Sequence, residues 1–292
     1  MKKNTTTTPP AIDERLEIPK VIEPRHEKEH NITKWILIFC ATCFLFFMLI
    51  VPLFVVVTSC FADGIEGYKK AILDEDTISA LKLTLLATVT AVVINTIFGL
   101  CAAWTVTKYN FKGKNILTTL IDLPFSISPV IAGLIFILTF GKIGWAYDFV
   151  QALDIKIVFA VPGVIIATIF VTFPFVFREV TPVLNSQGSA EEEAAALMGS
   201  GAFHTFFKVT LPHIKWALAY GIILCTARAM GEFGAVSVLS GHLRGKTCTL
   251  PLHVEILYNQ FNTTAAFAVS SLLVVMAVII LLLRNFVGHK KA

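Results

Sequence analysis

Six stretches of the chain are almost free of charge, and polar residues gather between them. They cover residues 35–58, 78–106, 116–140, 158–177, 216–239 and 265–283. A bilayer core about 30 Å thick needs about 20 mostly apolar residues per helical span. The pattern therefore predicts an all-α integral membrane protein with six transmembrane helices, since helices satisfy their own backbone polar groups in lipid. The second stretch is long enough to tilt or to project beyond the bilayer.

Composition agrees. The 292 residues are 55% hydrophobic and only 15% charged, where soluble domains run roughly 45–50% and about 25%, and the mean hydropathy is +0.75. Charge adds an orientation, because cytoplasmic loops retain Lys and Arg. One side carries sixteen of the 24 basic residues: the stretch up to Lys34, the turn with Lys108, Lys112 and Lys114, the segment from Arg178 to Lys215, and the end with Arg284, Lys290 and Lys291. The other side carries six: Lys69, Lys70, Lys142, Lys156, Arg244 and Lys246. Both termini are thus expected in the cytoplasm. Residues 1–34 form a polar tail expected to be disordered and lacking an apolar signal segment, 35–286 the six-span domain, and 287–292 a short C-terminal tail. The formal charge of +4 follows from topology and predicts no nucleic-acid partner, because the basic residues form no compact face with aromatics.

The fourth connection, 178–215, is long and polar. Ser189 followed by Glu192 spells a capping box, with Glu191, Glu192 and Glu193 in the first turn, where the helix dipole favours negative charge. A helix over 190–198 would end at Gly199 and Gly201, and Pro212 suits the first turn of the following helix. On composition alone this is a surface-lying connector as readily as a docking element.

Within it, Glu193, Ala194, Ala195, Gly199, Val209, Leu211 and Pro212 stand at the spacing of the EAA loop, with Val where Ile is usual. The segment, 181–215 as a whole, resembles the coupling loop of ABC importer permeases. Further on, residues 227–238 (ARAMGEFGAVSV), the run 240–253 and the third-span pieces 122–126 and 128–130 resemble the sulfate/thiosulfate permeases of the CysW type. The resemblance covers most of the chain from the first span onward and implies a type I ABC importer permease architecture. It implies a cytoplasmic ATPase dimer that carries ATP and magnesium, a second homologous permease and an external sulfate- or thiosulfate-binding protein. This chain is then expected to bind no cofactor and to catalyse nothing. Two small alanines would permit close approach to the ATPase, and Gly199 a sharp turn. A molybdate or tungstate permease is the alternative substrate reading, and an ATP-independent secondary anion transporter the alternative class.

Arg228 and Glu232 lie four residues apart inside the fifth predicted span, where each charge costs about 2.5–3.5 kcal/mol on insertion scales. They are either a buried pair that fixes helix packing or part of an anion route, since guanidinium donors match oxyanion oxygens bidentately. Gly221, Gly231, Gly234 and neighbouring alanines in the same span let helices approach closely, and Gly231 and Gly234 are candidates for flexing at a gate. Pro124, Pro129, Pro162 and Pro174 lower helix regularity. Lys82 can snorkel, and Asn95 is expected to hydrogen-bond a neighbouring helix.

Other motifs dissolve on inspection. Gly241, Gly245, Lys246 and Thr247 nearly spell a P-loop, but Ser240 breaks the spacing and no strand precedes it; His242, Arg244 and Lys246 form a basic outer loop that could meet a binding protein or attract anions. Cys40 and Cys43 lie in an apolar span, where C-x-x-C is packing and not redox chemistry. A disulfide between Cys60 and Cys248 is conceivable from topology alone.

Overall fold

The computed structural model describes residues 31–289, which contain helices and turns and no strand. The expected tail over 1–30 and the last residues, 290–292, lie outside the described residues. The first span comprises α1 (Asn31–Leu45), a π-helical turn (Phe46–Ile50) and α2 (Val51–Ser59). It begins within the stretch expected to be tail, at Asn31. The π-turn has an identifiable cause: Pro52 lacks an N–H and its ring crowds the carbonyl four residues back, so Val51 N–H bonds Phe46 O instead.

Beyond Ser59 come α3 (Gly64–Leu73) and α4 (Glu75–Lys108). The 34 residues of α4 bury a stripe at three- and four-residue spacing that includes Ala80, Thr84, Ala87, Ala91, Asn95, Gly99 and Ala103. Leu86, Val89, Ile97 and Phe98 point outward. Small and polar residues face the bundle and large apolar ones face away, as suits a helix whose surroundings are lipid.

The third predicted span is not one helix. It is α5 (Lys114–Ser126) and α6 (Pro129–Phe140), bent by 109° at the break. Pro129 disfavours the α conformation for Ser128, whose backbone is extended like that of Ile127. After α7 (Tyr147–Ala152), the fourth span runs through α8 (Val161–Thr172) and α9 (Pro174–Gln187) as one stretch of 27 residues. It extends ten residues past its expected end at Phe177, so Arg178 belongs to a helix and not to the loop.

The fourth connection shrinks accordingly. It holds α10 (Ala190–Leu197) and then α11 (Ala202–Thr205), which leads through a π-turn (Phe206–Thr210) into α12 (Leu211–Met230). Pro212 thus lies in the first turn of α12, but α11 to α12 form one continuous span of 29 residues. The π-turn again precedes a proline: Leu211 N–H bonds Phe206 O. The fifth span ends at Met230, short of the expected 239, and the chain restarts as α13 (Gly234–Ser240). After α14 (Leu250–Asn259), α15 (Thr263–His289) closes the chain and continues through residues expected to be tail.

Two buried clusters organise this part of the molecule. Toward the α13 and α14 end, Ala87, Val164, Ala167, Val171, Val236, Leu239 and Leu252 pack together; toward the α10 end, Ala103, Val176, Val180, Leu184, Ile214 and Cys225 do. Asn95 lies between α4, α8 and α12. Its Nδ2 donates to Thr172 Oγ1 at 2.8 Å and to Ile169 O at 3.2 Å, the interhelical role expected of it.

Candidate functional site

The fourth connection is built from a short helix with a defined stop. Three bonds close α10: Met198 N–H to Ala194 O, Gly199 N–H to Ala196 O, and Ser200 N–H to Ala195 O. The last two form a Schellman motif, which needs its C′ residue in the left-handed region. Gly199 supplies it, with φ +84° and no other atom within 4 Å of where a Cβ would stand. The requirement is conformational, not steric. Ala195 is buried against the molecule, whereas Glu193 and Ala194 face outward. Leu197, Met198 and Phe203 project almost bare, at 90%, 84% and 84% exposure.

The capping box takes a different form from the one expected. Ser189 Oγ donates to Glu193, one residue further than predicted, and Glu193 N–H bonds Ser189 O at 2.9 Å. Glu192 turns inward instead. Its Oε2 meets Lys108 Nζ at 2.9 Å, and its Oε1 accepts a 2.6 Å bond from Thr210 Oγ1. Lys108 also donates to Gly188 O. The lysine and the carboxylate are 11% and 16% exposed, so water screens the pair poorly. Glu191 adds a contact to His213 Nδ1 at 3.1 Å, and Trp104 stacks on Phe206 with centroids 4.5 Å apart. Thus the base of α10 is strapped at once to the end of α4 and to the start of the fifth span, while its tip is free. Val209 lies in the π-turn and Leu211 and Pro212 follow directly, so the seven motif residues lie on one connected piece of chain.

The second predicted pair is found together, but not on one helical face. Arg228 is in the last turn of α12; Glu232 is in the break that follows. Arg228 Nη1 stands 2.6 Å from Glu232 Oε2, a close ion contact in which the N–H is not aligned with the oxygen. The guanidinium side chain is 33% exposed and the carboxylate 1%. Glu232 Oε1 accepts the N–H of Ala235 at 2.9 Å, capping α13. Glu232 is therefore fixed by the break, and the arginine is left partly open. Of the two glycines named here, Gly234 is a packing residue: a Cβ would stand 3.0 Å from Pro129 Cβ. Gly133 of α6 is tighter still, its missing Cβ 2.6 Å from Ala235 O. The two interrupted spans meet through these glycines. Gly231 is under no such constraint, with only Ala227 O at 3.8 Å.

Sequence reasoning missed a further interhelical ion pair. Arg178 Nε of α9 donates to Asp122 Oδ1 of α5 at 2.8 Å, and its guanidinium lies 4.4 Å from the centre of the Phe125 ring. Lys108 and Thr210 were missed as partners of Glu192. Nothing local links position 108 to 192; a lysine closing a span is ordinary interface chemistry.

At the opposite end, residues 241–249 are a turn region between helices, in which Thr247 Oγ1 donates to Ser240 O at 2.7 Å; the near P-loop has no phosphate-binding context. Cys60 and Cys248 are separate buried thiols, not a disulfide. Burial pushes the Cys248 thiol up to about 12.

Three comparisons place this geometry. Residues 95–289 match the family model of binding-protein-dependent transport system inner membrane components. The chain is 46% identical to the sulfate transport system permease protein CysW of Synechocystis sp., over 89% of this chain and 95% of that one. It is 34% identical to the CysT permease of the Escherichia coli sulfate transport system, over 84% and 92%. In fold it resembles a chain of a bacterial ABC transporter that imports the acidic polysaccharide alginate, with TM-score 0.74 at 16% identity, covering 89% of this chain and 95% of that one. These matches establish that the chain belongs to the multi-pass inner-membrane permease components of binding-protein-dependent ABC transport systems, alongside the CysW sulfate permeases.

Proposed function

We propose that this chain is one permease subunit of a sulfate importer, accepting sulfate or thiosulfate from an external binding protein and passing it inward by alternating access. A second permease of similar fold completes the membrane domain, and a cytoplasmic ATPase dimer, which alone holds ATP and magnesium, drives it. Both termini and α10 face the cytoplasm, in keeping with the distribution of Lys and Arg.

The observation that carries this reading is the form of α10. Leu197 and Met198 at its tip and Phe203 just beyond are bare large apolar side chains, and burying each such side chain is worth about 1.5–3 kcal/mol. Such a tip on a polar loop suits insertion into a partner. The base is braced to two spans by Lys108, Glu192 and Thr210, so a push on the tip reaches both. Sulfate as the cargo rests on the similarity to the CysW and CysT permeases and on the partly open guanidinium of Arg228, whose donors fit a tetrahedral oxyanion. Glu232 neutralises that charge and keeps an anion from being trapped.

Reconstitution of this chain with its ATPase, second permease and binding protein in liposomes tests the proposal. ATP-dependent uptake of radiolabelled sulfate, competed by thiosulfate and weakly by molybdate, is the expected result. Uptake that proceeds without ATP, or that excess molybdate abolishes, would overturn it.

A further inference from the structure

Arg178 stands on the helix from Val161 to Gln187, which is long and apolar enough to cross a membrane, nine residues and about 13 Å from its loop end. Its partner Asp122 comes from α5, eight residues past the start of that helix at Lys114. Yet the two side chains are 52% and 33% exposed. Lipid does not cover such a surface without a cost of about 2.5–3.5 kcal/mol per charge, so the exposed part faces water or protein.

The manner in which the guanidinium is held bears on which. Only Nε has a hydrogen-bond partner among the described residues, Asp122 Oδ1. The guanidinium lies against Phe125, which is itself pinned by an edge contact to Phe175 at 5.2 Å. Its orientation is therefore fixed from below and from one corner. The two terminal nitrogens, the edge that meets two oxygens of a tetrahedral anion at once, have no partner among the described residues. Arg–carboxylate pairs frequently use that edge bidentately, and here it is left unengaged. Arg228 also has a single carboxylate contact, made there through Nη1, and a partly open guanidinium.

The two arginines lie at different depths. Gly221 of α12 packs on Val176 of α9, and the helices are antiparallel, as the bond between Gln187 and His213 at the loop end requires. Arg178 lies two residues from this level toward the loop, and Arg228 seven residues away from it in the opposite direction. Their axial separation is about 13 Å.

We propose that Arg178, oriented by Asp122 and Phe125, is a second contact for a divalent tetrahedral oxyanion, deeper along the route than Arg228 and nearer the coupling loop. This rests on the sulfate-importer reading above. Asp122 cancels the standing charge, so the anion is met by directed donors without being held by a net positive site.

The complete reconstituted transporter tests it. Arg178→Gln is expected to copurify with its partner subunits at the wild-type level and to hydrolyse ATP. Its sulfate uptake should fall about tenfold or more, the worth of one hydrogen bond to a charged group. Arg178→Lys, which keeps charge but not the planar edge, should be intermediate. In the wild-type complex, sulfate should protect Arg178 from modification by phenylglyoxal, mapped by mass spectrometry. Undiminished uptake by Arg178→Gln, loss of copurification in both variants, or modification that sulfate does not slow would each overturn the inference, the second by assigning Arg178 to a subunit interface. A wild-type complex that takes up no sulfate overturns the functional reading itself, whereas normal wild-type uptake with a fully active Arg178→Gln overturns this inference alone.

Discussion

Lys108 Nζ lies 2.9 Å from Glu192 Oε2, joining the end of α4 to the first turn of α10 across 84 residues of chain. Thr210, bonded to the other oxygen of the same carboxylate, brings in the start of the fifth span. One side chain therefore ties α10 to two long helices of the bundle, so that a movement of α10 would be shared between them.

Breaking this strap should uncouple the transporter. Glu192→Gln and Lys108→Met each leave a poorly solvated polar group short of a partner, at about 1–3 kcal/mol. ATP hydrolysis should persist while sulfate taken up per ATP falls severalfold. The exchange Lys108→Glu with Glu192→Lys should recover part of the loss. Parallel assays of phosphate release and sulfate uptake in proteoliposomes provide the check; unchanged stoichiometry in both single variants would show that the strap is not a mechanical link.

Gly199 is constrained by its backbone and not by its neighbours. A non-glycine residue in the left-handed region costs about 1–2 kcal/mol, least for Asn and most for a β-branched side chain. Gly199→Asn should couple nearly normally and Gly199→Val should hydrolyse ATP with little transport. Equal uptake by the two variants would remove the Schellman turn from the account.

The glycines of the interrupted spans should separate cleanly. Gly133→Ala places a Cβ against Ala235 O and should destabilise the meeting of α6 and α13 by about 1–3 kcal/mol, seen as a lower melting temperature in detergent. Gly231→Ala meets nothing closer than 3.8 Å and should melt as the wild type does. If Gly231→Ala is also slow in transport, flexibility at this position is functional; if it transports normally, Gly231 is only a helix terminus.

His253 carries a pH dependence at the opposite end. It is buried on α14, with Nε2 3.1 Å from Thr77 Oγ1, whose hydroxyl donates to Ala71 O, so Nε2 is the protonated nitrogen. Burial lowers its pKa below the ordinary 6.5, with Arg244 adding to that and Asp76 and Asp74 opposing it. The unfolded state then binds the extra proton first, so stability rises with pH between the folded and the unfolded pKa and is lost as pH falls below about 6.5. Melting temperature measured from pH 8 to pH 5 should drop more for the wild type than for His253→Gln.

The membrane architecture was legible before any coordinates because lipid imposes one requirement on every span: a run of apolar residues long enough to cross. The short helix after Ser189, its stop at Gly199 and the exit at Pro212 were legible for a similar reason, since caps and turns are local chemistry, whereas the EAA spacing was legible only as a family resemblance. Local chemistry also predicted a helix beginning after Ser189, but not that Glu192 would leave the cap for Lys108. Hydropathy likewise made continuous spans of 116–140 and 216–239, since apolar residues surround both breaks. Composition cannot distinguish a helix that crosses the membrane from two that meet at an angle.

What decided those points was packing between distant segments. Gly133 against Ala235 holds two broken spans together, and Arg178 became a helix residue with interhelical partners only because α9 continues to Gln187 and brings it against Asp122 and Phe125. A residue's transfer cost from water to lipid is its own property and can be summed along a chain. Which buried charge finds which partner depends on helices brought together from 56 to 84 positions apart, and no local window contains that information.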